Sequence, residues 1–222
     1  MRLAALLILV AALVFPALAL AAAVDPKAPL QRHVAADMKK AAKLTLRRAD
    51  LAAGWKVDPP AKPGPYCTAG PDESNLVQTA KVDPSFTWKD NVTNVGSEVD
   101  VFRTAAEART DWRLSTLALV KTCLLQSARA GVGKNITVSM VSATRLAAPK
   151  SVERSLHFRF VFALHAKQTA RLVADVIAIG RGRTTVVLHT LTVRAPLPSA
   201  VLGALVKVLA ERLNAGKSGI TA

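Results

Sequence analysis

Apolar and polar residues alternate most regularly in the stretch SLHFRFVFALHA, residues 155–166. A period of two is typical of a strand that buries one face of an antiparallel sheet. The side chains predicted to share the buried face are Leu156, Phe158, Phe160, Phe162 and Leu164. The side chains predicted to share the opposite, polar face are His157, Arg159 and His165. Further strands are predicted at 75–82, 92–103, 136–146, 170–179 and 184–193.

Three segments carry apolar residues at the three- and four-residue spacing of amphipathic helices. They are 34–48, 104–131 and a final segment that starts at Ser199. Thr104 with Glu107 three residues later fits a capping box, which marks a helix start. The strands follow one another through short turns and not through crossover helices. This order predicts an α+β fold, an antiparallel sheet of about six to seven strands with three flanking helices.

The first residues have the layout of a secretory leader. Arg2 precedes an uncharged stretch, 3–24, that ends in alanines and is followed by Asp25 and Pro26. This layout predicts a signal peptide at 1–23 and a secreted or extracellular envelope protein. The alternative is a membrane anchor formed by an uncleaved N-terminal helix, since about 20 apolar residues can span a bilayer. After the leader we predict a linker at 24–33 and a single domain over 34–216.

The chain is strongly basic, with 30 Lys and Arg against 15 Asp and Glu and a net charge of +15. Such a surface favours anionic partners, for example anionic envelope polymers or lipid headgroups. The basic residues are dispersed, so the charge is equally compatible with a role in solubility alone. The aromatic residues are few and the leader predicts export, so no nucleic-acid partner is expected.

Two cysteines, Cys67 and Cys123, are the only ones in the chain. An even count in an exported protein predicts one disulfide. The alternative is two unpaired, buried thiols. Cys67 lies in a segment rich in Pro and Gly, 58–74, which is not expected to form regular structure. Cys123 lies on the apolar stripe of the helix predicted at 104–131, and this favours a structural disulfide over a reactive thiol.

The tetrapeptide Gly180-Arg181-Gly182-Arg183 separates two predicted strands. A dinucleotide-binding fingerprint needs a third glycine and a helix directly after the loop, and here a strand follows. We therefore interpret the tetrapeptide as a hairpin turn. Its arginines, Arg181 and Arg183, are predicted to project into solvent, where they could contact an anion.

Neither a metal site nor a catalytic site is predicted. His157 and His165 lie eight residues apart, about 26 Å along a strand, which is too far to share one ion. No nucleophile elbow of the form G-x-S-x-G occurs. Asp175 is the only acid within the C-terminal strands, and it is more simply explained by a pairing with Arg159 than by catalysis. We expect no enzyme activity, no cofactor and no metal.

Several segments resemble the extracellular sensor domains of actinobacterial transmembrane Ser/Thr kinases and related secreted proteins. They are ADLAAGW, the Pro-rich loop with its cysteine, EVDVFRTAAEARTDW and VIAIGRGRTTVVLHT. The resemblance covers about 34–214 and implies a PsbP-like α+β arrangement, a ligand-binding cleft and no catalysis. The chain departs from that pattern because it has no kinase module, no lipobox and one possible disulfide where those domains tend to have two.

Three functions remain open. The first is an exported, non-enzymatic, sensor-like module for an envelope ligand or partner, small or anionic, with His157, Arg159 and His165 on the floor of its cleft. Arg159→Ala is then expected to weaken ligand binding with little change in the melting temperature. The second is a structural envelope protein that associates electrostatically with anionic polymers. The third is a hydrolase whose serine or carboxylate cluster the sequence does not reveal.

Overall fold

A computed structural model describes residues 25–60, 67–133, 135–166 and 168–215, so the predicted leader, 1–23, lies outside the described residues. The helices are α1 (Ala35–Leu44), α2 (Ala105–Leu114), α3 (Leu117–Ala130) and α4 (Ser199–Ala215). The first strands are β1 (Leu30–Gln31), β2 (Trp55–Val57), β3 (Val77–Val82), β4 (Ser85–Trp88) and β5 (Asn94–Phe102). The remaining strands are β6 (Thr137–Arg145), β7 (Arg154–His165), β8 (Thr169–Arg181) and β9 (Thr184–Val193).

The strands form one mixed sheet in the order β1-β3-β5-β9-β8-β7-β6, with β2 joined through β4 to β5. All pairs are antiparallel except β1 with β3. The predicted α+β class, with a mostly antiparallel sheet, is confirmed. β1 lies inside the stretch predicted as a linker, where the Leu30 and Arg32 amides donate to the Leu76 and Gln78 carbonyls at 2.9 Å.

Helices cover both faces of the sheet, but over different strands. On one side, here called the α4 face, α1 and α4 pack on β3, β5, β8 and β9 around Val99, Ile177 and Val186. On the other side, here called the α3 face, α3 packs mainly on β6, β7 and β8 around Phe158 and Phe160, and α2 packs on β5, where Ala108 contacts Phe102. The predicted alternation along β7 is confirmed, because its phenylalanines all belong to the core of the α3 face.

The prediction of one continuous helix over 104–131 is wrong. Two helices, α2 and α3, occupy this stretch, and Ser115 and Thr116 separate them. Thr116 caps the second helix by accepting a hydrogen bond from the Leu119 amide at 3.3 Å. Ser and Thr favour such caps because their side chains compete for backbone hydrogen bonds. The predicted capping box is confirmed, since the Glu107 amide donates to Thr104 Oγ1 at 3.1 Å.

The helix predicted at 34–48 is also shorter than expected. α1 ends at Leu44, and a short 3₁₀ helix, Arg48–Asp50, follows it. Arg212 of α4 donates to both carboxylate oxygens of Asp50, at 2.7 and 2.6 Å, and so ties this segment to the last helix.

Among the described residues, no helix combines the length and the apolar composition needed to cross a bilayer.

Cys67 and Cys123 form a disulfide, which confirms the predicted pairing. The bond joins the segment rich in Pro and Gly, 58–74, to α3 across 56 residues of sequence. Thr68 adds to the same attachment, because its amide donates to Gln126 Oε1 at 3.2 Å.

We predict that Cys67→Ser/Cys123→Ser lowers the free energy of unfolding by about 2–4 kcal/mol, because the unfolded chain loses the constraint of a long closed loop. Chemical denaturation of the variant and of the parent protein, with and without reductant, measures the difference. The reduced parent should match the variant. An unchanged midpoint in both cases would contradict the prediction.

Candidate anion-binding site

Asp175 of β8 is the centre of a polar cluster on the α4 face. Asp175 is fully buried, with 0% exposure. Arg159 lies directly opposite on β7 and donates through Nε to Oδ1 at 2.9 Å and through Nη2 to Oδ2 at 3.1 Å. His157 Nε2 lies 2.8 Å from Oδ1. The predicted pairing of Asp175 with Arg159 is confirmed, and His157 is an additional partner.

The partners of Asp175 decide its charge. Burial raises the pKa of this carboxyl, but hydrogen bonds from His157 and Arg159 outweigh burial and hold the pKa below its ordinary value of 3.8. Asp175 is therefore an anion at neutral pH. A buried anion is costly unless it keeps its hydrogen-bonded cation, so Arg159 has a structural role. The burial of Asp175 therefore argues against the expectation that Arg159→Ala leaves the melting temperature nearly unchanged.

Arg159 also keeps one edge free of the protein. Its side chain is 29% exposed, and among the described residues Nη1 forms no hydrogen bond. Thr144 lies opposite Arg159 on the neighbouring strand β6 and is exposed. Asp175 thus fixes the orientation of the guanidinium, and the register places Thr144 of the edge strand β6 on the same face as Arg159.

The structure separates His165 from this cluster. His157 is buried and turned toward Asp175, whereas His165 is exposed at the other end of β7. There its Nε2 lies 3.0 Å from Ser139 Oγ. Of the three side chains predicted to share a cleft floor, His157 and Arg159 therefore meet and His165 does not join them.

The hairpin turn is confirmed, but its arginines do not project into solvent. Arg181 pairs with Thr184, and Gly182 has a φ of +52° in the tight turn. Arg183 donates through Nη1 to Asp37 Oδ2 of α1 at 2.8 Å, and Arg181 donates to Asn214 of α4. The prediction was wrong because α1 and α4 pack beside the hairpin and supply acceptors. Any contact of these arginines with an external anion would compete with those bonds.

Sequence reasoning missed two features of the cluster. The first is the bond between His157 and Asp175. The second is Thr190 of β9, which lies opposite Asp175 and is 2% exposed, and whose hydroxyl has no hydrogen-bond partner in the described part of the chain. The period-two pattern already places these residues on polar faces. The register that brings them together links three strands and is not encoded in any local motif.

The described parts of the chain contain no group of three or more His, Cys, Asp and Glu side chains that could hold a metal ion.

Comparison of the sequence with protein-family models finds no match, and neither does comparison with curated proteins. Among solved structures, the fold is similar to the extracellular domain of PknH from Mycobacterium tuberculosis. The TM-score is 0.46, the identity 11%, and the match covers 83% of this chain and 98% of that one. A second similar structure is a putative uncharacterized protein (Rv0999 ortholog) from Mycobacterium smegmatis, with a TM-score of 0.37, 9% identity and coverage of 78% and 97%. The chain thus has a weak structural similarity to two mycobacterial proteins, one of which is an extracellular domain.

We predict that Arg159→Ala lowers the free energy of unfolding by roughly 2 kcal/mol, because it leaves the Asp175 carboxylate buried without its cation. Replacing both partners, as in Arg159→Met/Asp175→Leu, should cost less than Arg159→Ala alone. Arg171→Ala is the matched control, since Arg171 is an exposed arginine on the neighbouring strand. Urea unfolding measures the free energy of unfolding of the three variants and of the parent protein. Equal stability of Arg159→Ala and Arg171→Ala would refute the structural role.

The lowered pKa of Asp175 also predicts an acid effect. A carboxyl whose pKa is lower in the folded than in the unfolded state stabilises the fold above its ordinary pKa, 3.8 here, and this stability disappears as the pH falls through the lower, folded value. Unfolding curves measured between neutral pH and strong acid should therefore decline less steeply for Asp175→Asn than for the parent protein. Parallel declines would show that Asp175 does not contribute.

Proposed function

We propose that this chain is an exported, non-enzymatic, sensor-like binding module, and that Arg159 contacts an anionic ligand or partner of the cell envelope. One observation carries the proposal. A buried carboxylate, Asp175, holds the guanidinium in a fixed orientation, while Nη1 of this partly exposed side chain has no hydrogen-bond partner among the residues that the structure describes. A preorganised arginine loses less conformational entropy on binding than a mobile one.

The contacts around Asp175 favour binding over catalysis. Oδ1 accepts from Arg159 and contacts His157, and Oδ2 accepts from Arg159. A carboxylate engaged in this way is poorly placed to take a proton from a substrate. Its role in the proposal is to position Arg159.

The surroundings of Arg159 suit a carboxylate or phosphate group. Guanidinium N–H groups bind the oxygens of such anions in a directional way, and a hydroxyl can donate a further hydrogen bond. Thr144 supplies that hydroxyl from the neighbouring strand. Asp175 cancels the formal charge of Arg159, so the site selects by hydrogen-bond direction, while the net charge of +15 attracts anions to the protein as a whole.

We predict that Arg159→Lys binds a polyphosphate chain roughly tenfold more weakly than the parent protein, because lysine keeps the charge and loses the planar N–H edge. Calorimetric titration measures the affinity, and the unfolding curve of the variant confirms that it is folded. Lys121→Gln, which removes an exposed charge from α3, is the control and should bind like the parent. If Arg159→Lys and the parent bind equally well, Arg159 is not the contact.

A second candidate function, electrostatic association with anionic polymers, is favoured by the surface of α1. Lys39, Lys40 and Lys43 are exposed along this helix. Lys40 and Lys43 also line a cavity of about 270 Å³ together with Arg212. Such a group of cations binds polyanions without directional contacts, and this binding weakens strongly as salt screens it.

Salt and a triple substitution distinguish the two candidates. If α1 is the main contact, Lys39→Gln/Lys40→Gln/Lys43→Gln should lose most of the affinity for polyphosphate at low salt, and Arg159→Lys should lose little. If Arg159 is the main contact, the triple variant should keep the salt-resistant part of the binding, since a partly buried hydrogen-bonded contact is screened less than exposed charges. Titrations at several salt concentrations provide this comparison.

A further inference from the structure

His157 and Arg159 share one oxygen of the Asp175 carboxylate. They lie two residues apart on β7, so both side chains point to the same face of the sheet. His157 Nε2 lies 2.8 Å from Asp175 Oδ1, and Arg159 Nε donates to the same oxygen at 2.9 Å. One carboxylate oxygen therefore joins a guanidinium, whose charge is permanent, to an imidazole, whose charge depends on pH.

His157 is much less accessible than Arg159. The side chain of His157 is 10% exposed, against 29% for that of Arg159. Ile177 of the core lies opposite His157 on β8, and the Leu146 amide donates to the His157 carbonyl at 2.8 Å. His157 is thus placed to act on a ligand of Arg159 through Asp175 and not by contact. The small remaining exposure lets protons from the solvent reach the imidazole.

Few charges face His157 in the described stretches of the chain. The charges that act on its carboxylate partner, Asp175, are those of His157 and Arg159. The neighbouring strands β6 and β9 place uncharged side chains beside the cluster, Thr144 opposite Arg159 and Thr190 opposite Asp175. The state of the cluster is therefore set by its own three ionisable side chains.

The helix that packs over β8 leaves this balance unchanged. All three charged side chains of α4 are paired elsewhere, Lys207 with Glu211 and Arg212 with Asp50. In the connection between β6 and β7, Lys150 is exposed and Glu153 pairs with Arg154.

The net charge of the cluster depends on the protonation of His157. Burial raises the pKa of the Asp175 carboxyl, but hydrogen bonds from His157 and Arg159 hold it below its ordinary value of 3.8. Asp175 is therefore ionised throughout the range of about pH 5 to 8 in which histidine titrates. With a neutral imidazole, the charges of Arg159 and Asp175 cancel. With a protonated imidazole, two cations face one anion and the cluster is positive.

We propose that His157 is a positioning residue that couples anion binding at Arg159 to pH, because its protonation turns a neutral Arg159–Asp175 pair into a cationic cluster. The inference rests on the binding role proposed above for Arg159. A phosphate or carboxylate bound at Arg159 favours the protonated imidazole, so the complex takes up a proton. By linkage, the anion and the proton raise the affinity for one another by the same factor. The affinity for the anion therefore rises as the pH falls through the range of histidine.

The test is a calorimetric titration with polyphosphate at several pH values between about 8 and 5. A salt concentration of about 0.15 M screens charges more than about 8 Å from the ligand. We expect the affinity of the parent protein to rise about fivefold or more toward the acid end, the lower limit of a typical coupling between two sites. His157→Gln, which keeps an N–H donor for Asp175 but never carries a charge, should lose most of this rise.

His165→Gln is the matched control. His165 lies on the same strand and the same face as His157, but it is exposed and lies outside the cluster. The substitution removes the same titratable group and should preserve the rise in affinity. All three proteins meet the same polyphosphate, so any titration of the probe itself cancels in the comparison. Unfolding curves confirm that both variants are folded.

A second measurement needs no variant of His157. The ring resonances of the histidines in the parent protein are followed against pH by NMR, with and without saturating polyphosphate. A fivefold coupling moves the titration midpoint of His157 upward by about 0.7 pH unit. The midpoint of His165 reports the general effect of a bound polyanion and should move less. This measurement decides the matter if His157→Gln does not fold.

Three results would overturn the proposal. The first is an affinity that depends on Arg159 but has the same pH profile in His157→Gln and in the parent protein. The second is a His157 midpoint that moves no more than that of His165. The third is an equal loss of the rise in His165→Gln, which would assign it to general surface charge. Failure of the proposed function gives a different result, equal binding by Arg159→Lys and the parent protein at every pH, and overturns both proposals.

Discussion

The structure depends on a wide sheet that has helices on both faces. α1 and α4 pack on one face, and α2 and α3 pack on the other. The central strands are buried on both faces, and any polar group on them needs a partner within the sheet. The chain meets this requirement by rows of polar side chains in register. One row contains Arg159 and Asp175, and the other contains Lys81 and Asp100.

Because buried polar groups need partners, the basic composition does not simply measure a positive surface. Several arginines act as internal attachments and are not a free positive surface: Arg183 binds Asp37 of α1, Arg212 binds Asp50, and Arg181 binds Asn214 of α4. Hydrogen bonds from these arginines also outweigh burial and hold the pKa values of Asp37 and Asp50 below their ordinary value. The net charge therefore overstates the number of cations that a partner can reach. The lysines of α1 are among those that remain exposed.

Local patterns in the sequence predict the elements well, because alternation, capping and tight turns are properties of neighbouring residues. The β7 faces, the Thr104 capping box and the turn at Gly182 are examples. The candidate sites depend on strand register, which joins residues far apart in the chain. Asp175 meets His157 across 18 positions, and Asp37 meets Arg183 across 146. No short motif records such distances, so the sequence predicts the polar side chains but, of these partners, only Arg159 for Asp175.

β9 connects the two polar rows more directly than any helix does. Thr185 and Thr190 are five residues apart on this strand, an odd separation, so their side chains point to opposite faces. One lies opposite Asp100 and the other opposite Asp175, and among the described residues neither hydroxyl has a hydrogen-bond partner. A valine would fill either position without an unsatisfied polar atom, so each hydroxyl lowers the stability of the fold.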